Sequence, residues 1–163
     1  NQGMLVEPPL ALPLNELREL YPQDSPVTGP PQKWVMLYTY PGTCDEQCSY
    51  DVSGLRQIHI ATGRDQSSVA IWLLSPANPD QDTRNELVRI YPEFRILHDT
   101  DGTAASVLSA LSSEPADGPE FRESGQAFLL DPSANIILRY VPGQIPGDIN
   151  RDLDRLLKWS GKD

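Results

Sequence analysis

The sequence predicts an α/β fold: a mixed central β-sheet flanked by helices, with a C-terminal β-hairpin and a closing helix. Three observations predict it. Lys33 to Tyr40 and Val69 to Leu74 are nearly continuous apolar, aromatic and β-branched runs, as strands buried on both faces are. Between them Cys48, Val52, Leu55, Ile58 and Ala61 recur three to four residues apart, the spacing of a buried helical stripe. Gln126 to Leu130 and Ile136 to Val141 flank the turn-forming stretch Asp131 to Asn135, which reads as a hairpin.

Residues 1–31 hold seven of the 16 prolines. Proline removes backbone donors and favours extended conformations, so this stretch reads as a proline-rich N-terminal arm or linker, with the domain spanning 32–163. Within it, Leu12 to Leu20 reads as a short helical turn ending before Pro22, and Leu14, Leu17 and Leu20 are available for docking.

The first core strand, Lys33 to Tyr40, runs into a turn at Pro41-Gly42-Thr43. A helix follows from Cys44, and Gly63 supplies its C-terminal stop. Ser67 to Leu74 is the second strand, followed by a loop through Pro79. Asp80 or Asp82 caps a helix carrying Leu87, Val88 and Ile90, which stops before Pro92. Phe94 to Leu97 is a short extended piece. Asp101-Gly102-Thr103 opens a helix through Val107, Leu108 and Leu111, and residues 112–118 form a loop. After the hairpin, Pro142-Gly143 breaks the strand. A last helix starts at Asp148 or Asn150 with Ile149, Leu153, Leu156 and Leu157 on one face. The first half calls for parallel strands joined by right-handed crossovers, and the second adds an antiparallel hairpin with one covering helix. This is the thioredoxin architecture with an insertion before the hairpin.

A chain of 163 residues suits one domain with a real core. Acids outnumber bases 23 to 13, giving a net charge of −10. That balance argues against nucleic acid and against an anionic membrane surface as partners. The longest apolar run, Val69 to Leu74, is far short of the roughly 20 residues of a membrane span. The chain opens on Asn1 rather than Met, so a signal or anchor is expected upstream. Asp99-Thr100-Asp101-Gly102-Thr103 matches the nucleophile motif of a phosphatase family. Yet the only lysines after it are Lys158 and Lys162, and a turn with a helix cap explains the same letters.

The only two cysteines, Cys44 and Cys48, are too close together to frame a fold and point to redox or metal chemistry. Cys44 falls where a strand meets a helix N-terminus, and unpaired amides there stabilise an anion. Four residues on, Cys48 lies on the same helix face, about 6 Å away between Cα atoms, within disulfide range. The pair can therefore be oxidised, be reduced or hold a soft metal; two inert, half-buried thiols is the bland alternative. Asp45 and Glu46 stand between the cysteines, and their charges raise thiol pKa values against the helix effect. His59 is about 16 Å along the helix from Cys48, too far to share a metal, and reads as a polar-face residue.

Trp-Val-Met-Leu-Tyr-Thr-Tyr-Pro-Gly-Thr-Cys-Asp-Glu-Gln-Cys, residues 34–48, resembles the Cys-x-x-x-Cys segment of the Sco/SenC family. Ser75 to Thr83 is similar to that family's Asp-Pro-x-x-Asp-Thr loop, and Ala127 to Pro132 to its late strand and turn. The resemblance covers roughly residues 33–160 and implies a thioredoxin-like fold. It also implies a role in assembling the copper site of cytochrome c oxidase, in a periplasmic or extracytoplasmic, membrane-anchored protein.

On that reading Cys44 is the attacking thiol and Cys48 the resolving one, with no cofactor required. The partner is an oxidase copper-site subunit or a copper chaperone. The alternatives are a Cu(I) carrier using Cys44 and Cys48, and a non-catalytic assembly scaffold. Glu123 stands about where the family places its copper-binding histidine, and carboxylate suits Cu(I) poorly. Two thiolates can bind Cu(I) linearly, or a third ligand comes from elsewhere, with His98 the candidate. The proline that thioredoxins place before the late strand is also missing.

Overall fold

The computed structural model describes residues 2–40, 44–75, 80–90, 93–112, 125–141 and 143–160. The expected turn at 41–43, the loop at 76–79, Pro92, the stretch 113–124 with Glu123, Pro142 and Lys162 lie outside the described residues.

Eight strands form one sheet: β1 (Met4–Ala11), β2 (Leu17–Tyr21), β3 (Ser25–Pro26), β4 (Trp34–Thr39), β5 (Val69–Ser75), β6 (Arg95–Asp99), β7 (Ala127–Leu130) and β8 (Asn135–Tyr140). Their spatial order is β1-β8-β7-β4-β5-β6-β2-β3. Four α-helices accompany them: α1 (Glu46–Ala61), α2 (Gln81–Ile90), α3 (Thr103–Ser112) and α4 (Gly147–Ser160). From residue 34 to 160 the element order is the expected one, and the fold is thioredoxin-like. Strands β4, β5 and β6 are parallel, whereas β7 and β8 continue the sheet antiparallel. Trp34 pairs with Val69 and Thr39 with Leu74, so β4 and β5 end together at one edge, where Cys44 follows.

Both faces of the central strands are covered, which is why their sequences are continuously apolar. Met36, Tyr38, Ile71 and Leu73 pack with Val52 and Leu55 of α1 and Ile149 and Leu153 of α4. Val35, Leu37, Trp72 and Leu74 share the opposite face with Ala104 and Leu108 of α3. Each large side chain buried here contributes about 1.5–3 kcal/mol. Asp99 explains the phosphatase-like letters. It is buried, and its carboxylate accepts from the backbone N–H groups of Ala104 and Ala105 in the first turn of α3. Asp131 organises the hairpin turn by accepting from the amides of Ser133 and Asn135.

The proline-rich segment differs from an arm or linker: it closes both edges of the sheet. β1 pairs with β8, and β2 pairs with β6. Only residues 14–16 make a helical turn. Leu17 and Leu20, three apart, sit on opposite faces of the sheet because they belong to a strand. Glu19 of β2 accepts a hydrogen bond from Arg95, whose guanidinium lies 5.0 Å from the Trp72 ring centroid. Residues 4–11 escaped a strand reading because only Val6 among them is buried, so no alternation marks them.

Among the described residues no helix is long and apolar enough to cross a membrane. In α1, Gly54 gives Pro146 room: a Cβ there would lie 2.5 Å from the proline Cγ. Beyond Thr62, Gly63 adopts φ +58, the left-handed conformation that ends the helix as expected.

The candidate redox site

The sequence places a thiol pair at a strand-to-helix corner, and the structure joins Cys44 to Cys48 as a disulfide with Cα atoms 5.2 Å apart. The helix begins later than expected. Asp45 is the N-cap and Glu46 the first helical residue, so Cys44 lies outside α1. This follows from the capping preference of aspartate, whose carboxylate accepts from the Cys48 N–H at 2.9 Å. Cys44 is half-buried and Cys48 is buried at 2% exposure. The Ser49 hydroxyl lies 3.9 Å from the Cys44 Sγ, placed to donate to it.

One helical turn beyond Cys48, on the buried face of α1, lies a carboxyl that the apolar spacing concealed. Asp51 is completely buried. Tyr38 of β4 donates its hydroxyl to Asp51 Oδ2 at 3.0 Å, and the Gln47 amide donates to Oδ1 at 2.8 Å. Burial pushes the Asp51 carboxyl up from the ordinary aspartate range. The hydrogen bonds from Gln47 and Tyr38 offset part of the rise, and the Asp45 charge adds to it. Burial and then the Asp51 charge push the Tyr38 phenol up as well. The signal in the sequence was a carboxylate three residues after Cys48 in a stripe that is otherwise apolar. Its partner, 13 residues away on a strand, gave none.

The floor beside the site is made by β4 and the entry to β7. Thr39 N–H donates to the Gln126 carbonyl at 2.9 Å, and Gly125 N–H to the Thr39 carbonyl at 2.8 Å. Where thioredoxins carry a proline, this chain has Gly125-Gln126, with Gly125 at φ +77. A Cβ at Gly125 would touch the Tyr38 hydroxyl at 3.6 Å.

The two histidines are engaged elsewhere. His59 is buried rather than on a polar face. Its Nε2 donates to the Val69 carbonyl at 3.0 Å, tying α1 to β5, and its Nδ1 faces the Gln66 amide at 3.4 Å. His98 lies on β6, two strands from β4, with Nδ1 at 3.3 Å from the Ser75 carbonyl. Among the described residues no group of three or more His, Cys, Asp or Glu side chains is placed to hold a metal. Reduced, Cys44 and Cys48 offer two soft sulfur donors that suit Cu(I), and among the described residues His98 does not join them in a three-ligand group.

A disulfide between cysteines four residues apart at the start of the first core helix, on a mixed sheet of this topology, defines a thioredoxin-fold protein with a redox-capable cysteine pair. Residues 34–160 match the family described as "Transmembrane-like, thioredoxin-like, C-terminal domain", and the chain belongs to that family. A search of curated proteins returned no match.

Solved structures support the same fold. An uncharacterised thioredoxin-like protein from Porphyromonas gingivalis is 14% identical, with a TM-score of 0.60 over 90% of this chain and 89% of that one. Arabidopsis thaliana ScoI, crystallised with copper bound, is 15% identical, with a TM-score of 0.59 over 78% of this chain and 86% of that one. A putative thiol:disulfide interchange protein DsbE from Chlorobium tepidum is 14% identical, with a TM-score of 0.56 over 95% and 94%. The Sco resemblance therefore holds at the level of fold, in company with thiol–disulfide proteins.

Proposed function

We propose that the chain is an extracytoplasmic thiol–disulfide redox protein that works through Cys44 and Cys48 and assists copper-site assembly of a cytochrome c oxidase. The observation that carries the redox part is the Cys44–Cys48 disulfide, half-buried at its first sulfur and buried at its second. In exchange, the more accessible Cys44 forms the mixed disulfide. The Ser49 hydroxyl donates to its sulfur, and the Asp45 cap holds Cys48 in the first turn of α1 for the resolving attack. Support for the oxidase part comes from the Sco-like segment at 34–48 and the copper-bound ScoI neighbour. The partner is then an oxidase copper-site subunit or a copper chaperone, met at the membrane.

Cys44→Ser should abolish reduction of insulin disulfides while leaving the circular dichroism spectrum unchanged. Cys48→Ser should trap a mixed disulfide with the substrate. Full activity in Cys44→Ser would remove Cys44 as the nucleophile.

The second reading is a Cu(I) carrier, favoured by the copper-bound ScoI neighbour. A Cu(I) competition titration of the reduced protein, beside a Cys44→Ser/Cys48→Ser double variant, separates the two. Tight one-to-one binding that disappears in the double variant establishes the carrier. Weak, nonstoichiometric binding leaves thiol–disulfide exchange in place.

A further inference from the structure

We infer that Asp45 poises the Cys44–Cys48 pair as an electron donor, so that the protein reduces partner disulfides rather than making them. This rests on the exchange reading above and gives it a direction. The Cys48 N–H at the start of α1 is an amide suited to stabilise a thiolate, but the Asp45 carboxylate already takes it at 2.9 Å. The surroundings are anionic. Between Lys33 and Arg56 the chain has no Lys, Arg or His, but it has Asp45, Glu46 and Asp51. The first cation beyond, Arg56, is paired with Glu93 at 3.1 Å.

Reduction replaces an uncharged disulfide by thiols whose ionised forms meet those negative charges, and Cys48 would ionise at 2% exposure. Opposing them are the N-terminus of α1 and, among the described residues, the neutral Ser49 hydroxyl at 3.9 Å from Cys44 Sγ. A disulfide is strongly oxidising when its reduced form is stabilised; this pair has the reverse arrangement.

The step balances as follows. The Cys44 thiolate attacks one sulfur of a partner disulfide, forms a mixed disulfide and expels the partner's first thiolate. Cys48 gives its proton to solvent and attacks Cys44 Sγ, which breaks the mixed disulfide and releases the second thiolate. Two electrons pass to the partner, whose sulfurs take up protons from water, and the Cys44–Cys48 bond re-forms. The class of reaction that must precede it is dithiol exchange with a stronger reductant, a dithiol protein of lower potential.

Asp45 acts here as a positioning residue, and the readout is the reduction potential of the full chain. Redox state is followed by alkylation and mass in glutathione and dithiothreitol buffers. The wild-type pair should stay oxidised in glutathione and be reduced by dithiothreitol. Asp45→Asn keeps a capping acceptor and removes the charge. It should shift the equilibrium constant about tenfold toward the dithiol, about 30 mV. Asp45→Ala also frees the Cys48 amide; it should shift the constant further and lower the pH at which Cys44 alkylates. Asp154→Asn, an equal charge change on α4, should shift nothing.

Unchanged potentials in both Asp45 variants would overturn the inference, and so would a wild-type pair that glutathione keeps reduced. The expected potentials together with no insulin reduction would sustain the role of Asp45 and reject the exchange reading instead.

Discussion

At Asp51 a single carboxylate accepts from two donors one turn beyond the disulfide, the buried Tyr38 Oη and the Gln47 amide. Asp51→Ala strands the Tyr38 hydroxyl in the core and should cost about 1–3 kcal/mol in the denaturant midpoint of the oxidised protein. Asp51→Asn keeps an acceptor for Tyr38 and should cost less. The same residue sets a sign for pH. Its folded pKa is raised, so the folded state holds this proton more tightly than the unfolded chain. Its contribution is therefore largest when the carboxyl is protonated and falls as pH rises from the ordinary aspartate value through the raised one. Comparing urea midpoints of wild type and Asp51→Asn across that window checks the sign; a wild-type midpoint that rises with pH relative to the variant would reverse it. The cysteine pair was legible because its chemistry is local, two thiols four residues apart. The set of hydrogen bonds one turn beyond it was not, because Tyr38 and Asp51 meet only when α1 packs on β4.

Between elements, the contact of α1 with the start of α4 turns on Gly54. An exposed helical glycine normally gains up to about 1 kcal/mol on replacement by alanine. Here the new methyl would meet the Pro146 ring, with Cγ at 2.5 Å and Cβ at 2.8 Å, and a proline ring cannot swing aside. Gly54→Ala should instead destabilise by about 1–3 kcal/mol, read as a lower thermal midpoint. An unchanged or higher midpoint would mean that α4 shifts freely. The legibility of elements follows the same logic of burial. β4 and β5 are buried on both faces, so their runs declared themselves. α4 was legible through Ile149, Leu153, Leu156 and Leu157 on one face. β1 exposes nearly every side chain, and β2 carries Arg18 and Glu19 among its leucines, so neither pattern stood out against the prolines.

At the scale of the whole fold, α4 is tied to the stretch that leads into β1. Asp152 of α4 is buried and accepts from the backbone N–H groups of Gln2 and Gly3 at 2.7 and 2.8 Å, and from the Tyr140 hydroxyl at 2.7 Å. Burial pushes this carboxyl up, but the hydrogen bonds from Gln2, Gly3 and Tyr140, with the charge of the amino terminus, bring it below the ordinary aspartate value. A depressed acid contributes stability above its unfolded pKa and loses it as pH falls through the folded one. Asp152→Asn should therefore flatten the loss of stability as pH falls from the ordinary aspartate value through the lowered one, measured by urea midpoints at each pH. An acid limb as steep as that of wild type would show that other carboxylates carry it. The clasp also orders events in time. Met4 pairs with Arg139, and Leu17 with Asp99, so β1 and β2 are synthesised before the strands they pair with. Until those strands exist, β1 and β2 are open edges able to pair with another chain. Pro8 and Pro9 within β1 lack the amide hydrogens such pairing needs, so the prolines that look like a linker protect a nascent strand until its own sheet exists.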